Sequence, residues 1–145
     1  MFLQKTLVVA ALLCAGTSVA LAAPVKYLIV DRSSEVVMNK VGSDAVWADK
    51  LPQKLAARLA KLYPTGRFGF ISQVEGGFTE SKQCVVTARV MLVPRSGKSL
   101  VFDAKKGATT FDAQPNLTQP QCQDLAKAKL GEAIAAVMSS LVAEK

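Results

Sequence analysis

Residues 83–93 read Gln83-Cys84-Val85-Val86-Thr87-Ala88-Arg89-Val90-Met91-Leu92-Val93. In an extended chain Val86, Ala88, Val90 and Leu92 fall on one side, and Val85, Thr87, Arg89, Met91 and Val93 on the other. An apolar face opposite a mixed one predicts a strand that covers a core on one side. Pro94-Arg95-Ser96-Gly97 has turn chemistry, so Lys98 to Ala104 is expected to return as the second strand of an antiparallel hairpin. Lys105-Lys106-Gly107 then reads as a bulge or a second turn, with Ala108 to Phe111 continuing the edge. Upstream, Arg67 to Val74 alternates as a strand that Gly76-Gly77 is expected to break. Val25 to Val30 is an apolar run closed by the turn-prone Asp31-Arg32-Ser33-Ser34, and reads as a buried strand. Glu35 to Gly42 has apolar residues without a clean period, so a short strand and an ordered loop both remain open.

Two helices complete the pattern. Ser43 or Asp49 is expected to cap a helix that runs to about Tyr63 and is stopped by Pro64 and Gly66. Pro52 fits such a helix only in its first turn, which favours Asp49 as the cap. Leu51, Leu55, Leu59 and Leu62 mark its core face, with Trp47 upstream. Asp112 to Pro120 is polar and reads as a loop, ending in Thr118-Gln119-Pro120-Gln121, which has the form of a capping box. From there Cys122, Leu125, Ala126, Leu130, Ala133, Ile134, Val137, Met138 and Leu141 predict one long amphipathic helix. Its small residues imply close approach to the sheet or to the first helix. The predicted fold class is α+β, a two-layer β-α-β-β-β-α domain with two helices on one face of a mixed sheet.

The amino terminus places this domain outside the cytoplasm. Lys5 supplies a charged start, Leu7 to Leu13 an apolar run and Ala20-Leu21-Ala22 a small-x-small cleavage site, so residues 1–22 read as a cleaved signal peptide. A membrane anchor is disfavoured because Gly16, Thr17 and Ser18 interrupt a run shorter than the roughly 20 residues a span needs. Lipidation at Cys14 is disfavoured by Leu13, where a small residue is wanted. Residues 23–145 are then a single α/β domain in the periplasm, with secretion beyond the cell as the alternative and no transmembrane segment after signal removal. The two cysteines that remain, Cys84 and Cys122, form an even pair in an exported chain, so a disulfide is expected, the alternative being two buried thiols.

The chain has no histidine. Imidazole zinc sites, Ser/His/Asp triads and histidine acid/base catalysis are therefore excluded. There is no CxxC, GxGxxG, P-loop or GxSxG motif. What is left is carboxylate chemistry or a Ser/Lys pair; Asp31 and Glu35 bracket a strand exit, but Arg32 and a polar loop beside them read as solvated surface. No catalytic residue, metal ligand or cofactor is assigned.

Charge marks a binding surface instead. The whole chain holds 18 Lys and Arg against 11 Asp and Glu; only Lys5 falls within the signal, which leaves 17 against 11, a balance of about +6. Lys50, Lys54, Arg58 and Lys61 recur at helical spacing and form the candidate binding face, with ordinary solvation of a helix as its plainer reading. Arg95, Lys98, Lys105 and Lys106 make a second cluster around the hairpin. Outside the cytoplasm such a field suits anionic lipid, lipopolysaccharide, peptidoglycan or an acidic protein, with no nucleic acid expected.

The strings Leu62-Tyr63-Pro64-Thr65-Gly66-Arg67-Phe68-Gly69-Phe70 and Thr87-Ala88-Arg89-Val90-Met91-Leu92-Val93-Pro94-Arg95-Ser96-Gly97-Lys98, followed by an alanine-rich helix, resemble the small envelope α/β domain of the TolB amino-terminal region, the curli-channel lipoprotein CsgG and the penicillin-binding-protein activator LpoB. In those proteins a helix leads into a "GRF" strand, and an "AR" strand runs to a "TG" turn. The chain departs from them in its lipobox, in its lack of an appended propeller or barrel segment, and in its cysteine pair. The resemblance carries no site residues; it implies a domain that binds other proteins in assemblies. The expected function is a non-enzymatic periplasmic binding or accessory protein contacting an envelope protein complex. The alternatives are a binder of an anionic envelope component such as lipopolysaccharide, and a small hydrolase without an identifiable site.

Overall fold

The computed structural model describes residues 23–143, so the signal peptide expected over 1–22 lies outside the described residues. The elements run β1 (Leu28–Asp31), α1 (Lys40–Lys50), α2 (Gln53–Leu62), β2 (Phe68–Phe78), β3 (Gln83–Ser96), β4 (Ser99–Leu100), β5 (Lys106–Pro115) and α3 (Gln119–Ala143). They make an α+β fold with a mixed five-stranded sheet. β1 lies parallel to β2, β2 antiparallel to β3, and β3 pairs on its other side with β4 near one end and with β5 along most of its length.

The alternation in β3 divides the interior as its sequence requires. Cys84, Val86, Ala88, Val90 and Leu92 are fully buried in the main core with Phe70 and Val74 of β2, Trp47 of α1, Leu59 of α2, and Leu130, Ile134, Val137 and Leu141 of α3. The helices thus cover one face. Met91 and Val93 point the other way and join Ile71 and the half-buried Leu100 in a small second cluster. The rest of that outer face carries Gln73, Glu75, Thr87, Arg89 and Thr109 together with the exposed Phe111, as an antiparallel sheet with one solvated side permits.

Three helices stand where two are expected. Asn39, and neither Ser43 nor Asp49, caps α1, its Oδ1 accepting from the Gly42 N–H at 2.8 Å. Ser43 is buried inside α1, and Asp49 lies in its last turn. Pro52 is the cap of a second helix, because it has no N–H to give and disfavours helical backbone at the residue before it. Leu51 accordingly leaves the helix at φ −122°, ψ 64°. The predicted core stripe changes in consequence: Leu59 is buried, Leu51 and Leu55 are half-buried, and Leu62 is 53 % exposed.

Three strands also run further than their sequence implies, β3 itself continuing through Pro94 and Arg95, expected in a turn, to Ser96. β2 continues through Gly76-Gly77 to Phe78, still in register with β3 up to Phe78 opposite Cys84. The returning strand is broken at a different place: β4 has two residues, and the long pairing is made by β5, which takes in Asp112 to Pro115 of the expected loop. Pro94 accounts for the break. Its carbonyl accepts from the Val101 N–H at 2.8 Å, so the side of Pro94 that would carry an N–H faces the returning strand and has none to offer. Between the pairs Arg95–Leu100 and Leu92–Lys106, Val93 and Pro94 stand opposite the five residues Val101 to Lys105, which bulge out of the ladder.

α3 starts as its capping box predicts. The Thr118 N–H donates to Gln121 Oε1 at 2.8 Å, and the Gln121 N–H donates to Thr118 Oγ1 at 3.4 Å. The disulfide Cys84–Cys122 is formed, with both sulfurs buried and the Cα atoms 5.7 Å apart, and it fastens the first turn of α3 to the start of β3.

Candidate binding surfaces

Between α1 and α3 lies an open groove of about 640 Å³. Val41, Ala45 and Val46 line it from α1, and Ala128, Gly131 and Ala135 from α3. The small residues keep it from being filled by the helices' own side chains. Asp49, Lys50, Lys127 and Glu132 stand along it, so an apolar floor carries charges of both signs. Gly131 has a specific use here: a Cβ at that position would meet Lys50 Cε at 3.1 Å. Without one, the aliphatic stem of Lys50 lies across α3 while its ammonium pairs with Asp49 at 3.0 Å.

The four predicted cations do not form one stripe. Lys50 ends α1 and belongs to the groove, whereas Lys54, Arg58 and Lys61 follow one another along α2 beyond the Pro52 break. Those three are exposed and make no ion pair among the described residues. Lys54 and Arg58 flank a shallow apolar dip over Pro52 and Leu55.

The second basic cluster sits at the hairpin end of the sheet. Arg95 donates through Nε to the Gly97 carbonyl at 2.6 Å and through Nη1 to the Thr65 carbonyl at 3.0 Å, tying the β3–β4 turn to the turn that leaves α2. Its partners are neutral oxygens, so its charge stays uncompensated. Lys105 pairs with Asp103 at 2.6 Å in the bulged loop.

Asp31 and Glu35 are put to different uses. Asp31 Oδ1 accepts from Ser33 at 2.7 Å and from Ser72 at 2.9 Å, while Ser72 accepts from the Trp47 indole at 3.1 Å. This chain satisfies a buried indole and a fully buried hydroxyl between α1 and the sheet, which is the condition for placing them there. Glu35 is exposed in the following turn. Among the described residues no group of three or more His, Cys, Asp or Glu side chains is placed to hold a metal ion, and no helix is long and apolar enough to cross a membrane.

Sequence reasoning missed the groove, because its walls come from residues 41–50 and 127–135 and meet only in the fold. The available signal was the run of small residues Ala128, Gly131 and Ala135 on the flank of α3 away from its large apolar residues.

No family model and no curated protein matches the chain. Among solved structures it is similar to a point variant of the PelC dodecamer from Paraburkholderia phytofirmans, at 12% identity over 80% of this chain and 90% of that one, with a TM-score of 0.45. A second crystal form of the PelC dodecamer gives 13% identity over 77% and 86% of the two chains and a TM-score of 0.43. A candidate lipoprotein from Caulobacter crescentus is similar at 10% identity over 78% and 83%, with a TM-score of 0.30. No residue role passes from them to this chain.

Proposed function

We propose that this chain is an exported, non-enzymatic accessory protein of the cell envelope that holds another protein through the groove between α1 and α3. The observation that carries the reading is the open apolar floor of that groove, with Val41 77 % exposed at its edge and charges of both signs beside it. A monomer gains nothing from leaving such a surface in water, whereas an amphipathic segment of a partner would cover it and pair its own charges with Lys50, Lys127, Asp49 and Glu132. The reading of residues 1–22 as an export signal and the Cys84–Cys122 bridge support an interaction outside the cytoplasm.

The test is cross-linking in intact cells followed by purification, comparing the wild type with Ala128→Trp, which fills the groove from an exposed position, and Val41→Asp. A defined partner held by the wild type and lost from both variants, at unchanged melting temperature, is expected. Equal capture by all three would remove the groove from the reading. Loss only in a Lys54/Arg58/Lys61→Glu variant would move the contact to α2.

A further inference from the structure

We propose that the bulged loop Val101–Lys105 is a membrane-docking tip that enters the interface of an anionic lipid surface. This surface is separate from the groove and does not depend on what the groove binds.

The first observation is an exposed apolar pair in an ordered place. Val101 is 47 % exposed and Phe102 62 % exposed, and Asp103 and Ala104 beside them are exposed as well. Exposed apolar side chains are common on loops that simply lack structure. Here the backbone is pinned: the Val101 N–H donates to the Pro94 carbonyl at 2.8 Å, the Asp103 N–H to the Val101 carbonyl at 2.8 Å, and the Lys105 N–H to the Leu92 carbonyl at 2.9 Å. Leu100, one residue earlier, packs inward against Ile71, Met91 and Val93, its side chain lying over Gly69 where a Cβ would be 2.6 Å away. The chain therefore anchors Leu100 and holds the next two apolar residues out.

The second observation is the charge around this tip. Arg67, Arg95, Lys98 and Lys105 come from the strand ends, turn and loop at this end of the sheet, with Asp103 paired to Lys105 at 2.6 Å. Arg67 and Arg95 are held side by side, the Arg95 N–H donating to the Arg67 carbonyl at 2.7 Å. Apolar residues ringed by cations suit the boundary of an anionic bilayer, where the rings and methyl groups enter the acyl edge and the cations remain among the phosphates. A protein groove would need to match both the protrusion and the spacing of the cations; a lipid surface adapts to them. Arg95 and Thr65 join the loop's end of the sheet to the end of α2, so Lys61 in the last turn of α2 can extend the same contact.

The experiment uses the protein recovered after export and vesicles of phosphatidylcholine with or without phosphatidylglycerol. In Phe102→Trp, indole emission at the tip reports its surroundings directly, while Trp47 is 3 % exposed and supplies a constant background. A blue shift and quenching by brominated acyl chains are expected with the anionic vesicles only, and both should fade as salt shortens the screening length. In sedimentation, Phe102→Ser and Lys98→Glu should each weaken binding about tenfold. Neither side chain supports the core, so both variants should melt like the wild type, and Ala128→Trp in the groove should bind vesicles like the wild type. Unchanged emission of Phe102→Trp on anionic vesicles overturns the proposal. So does an equal shift on purely zwitterionic vesicles, or a shift caused by envelope proteins and by no vesicle.

Discussion

Tyr27 shows how one buried polar atom ties the start of the domain to its interior. Its ring meets Phe70 edge-on at 5.1 Å, and its hydroxyl donates to the Tyr63 carbonyl at 2.6 Å, closing the end of α2 against β1. Burial pushes the phenol up to about 12 from its ordinary value near 10, because the phenolate would be poorly solvated there. The folded state thus prefers the protonated phenol more than the unfolded chain does. Stability from this group is complete below pH 10, and is lost as the pH climbs from about 10, where the unfolded chain begins to ionise, through about 12. Urea denaturation at pH 8 and at pH 11 should therefore show a loss of stability that is smaller in Tyr27→Phe. At pH 8 the same variant should cost about 1 kcal/mol for the lost hydrogen bond. An alkaline loss of the same size in both proteins would mean that the hydroxyl is solvated.

At the scale of elements, the hairpin of β2 and β3 depends on two glycines used in different ways. Both Gly76 and Gly77 have φ near +156°, a conformation L side chains rarely adopt. At Gly76 a Cβ would also lie 2.0 Å from the Val85 carbonyl oxygen, whereas at Gly77 it would meet nothing within 4 Å. Gly77→Ala should carry only the backbone penalty, roughly 1 to 3 kcal/mol. Gly76→Ala should exceed it by a further 1 to 3 kcal/mol or so, since the strands must separate to admit the methyl group. Thermal melts of the two variants check this, and equal losses would show that the strands part freely at that point. These glycines also explain what was legible in the sequence. Period-2 burial in β3 and the apolar face of α3 were readable because side-chain direction follows from local geometry. Gly76-Gly77 looked like a strand end, although close strand approach demands the same residue. Pro52 read as the first turn of one helix and Pro94 as the start of a turn, but their effects depend on tertiary pairing: Pro52 opens a second helix after α1, and Pro94 lies within β3 and expels a loop from the strand opposite. The candidate surfaces were legible only as charges, because the walls of the groove and the pinning of Val101 and Phe102 are made by residues distant in sequence.

For the whole molecule, the disulfide decides whether sheet and helix layer open together. β3 is paired on both sides over most of its length, and α3 lies across β3 and β5, so these two elements hold most of the main core. The bridge joins them across a separation of 38 residues, which by loop entropy stabilises the fold by about 4 kcal/mol at most, acting on the unfolded chain. Its position has a second, native-state effect. Cys122 is in the first turn of α3, whose other ties near that end include the hydrogen bonds from Gln119 and Gln123 to the Val36 carbonyl and the packing of Leu125 and Ala126. With the bridge closed, that turn cannot leave the sheet unless β3 moves with it. Amide exchange measured on the oxidised protein should therefore give the same high protection at residues 122–126 and 86–92, as expected of one cooperative unit. Reduction should lower protection throughout as global stability falls, and should lower it further at 122–126, where the end of the helix can now open alone. If the two segments stay equal after reduction, the bridge acts through the unfolded chain only and the layers cohere by packing. If they separate, the bridge is the link that transmits a load on the helix layer, including one applied at the groove beside Ala128 and Gly131, to the central strand.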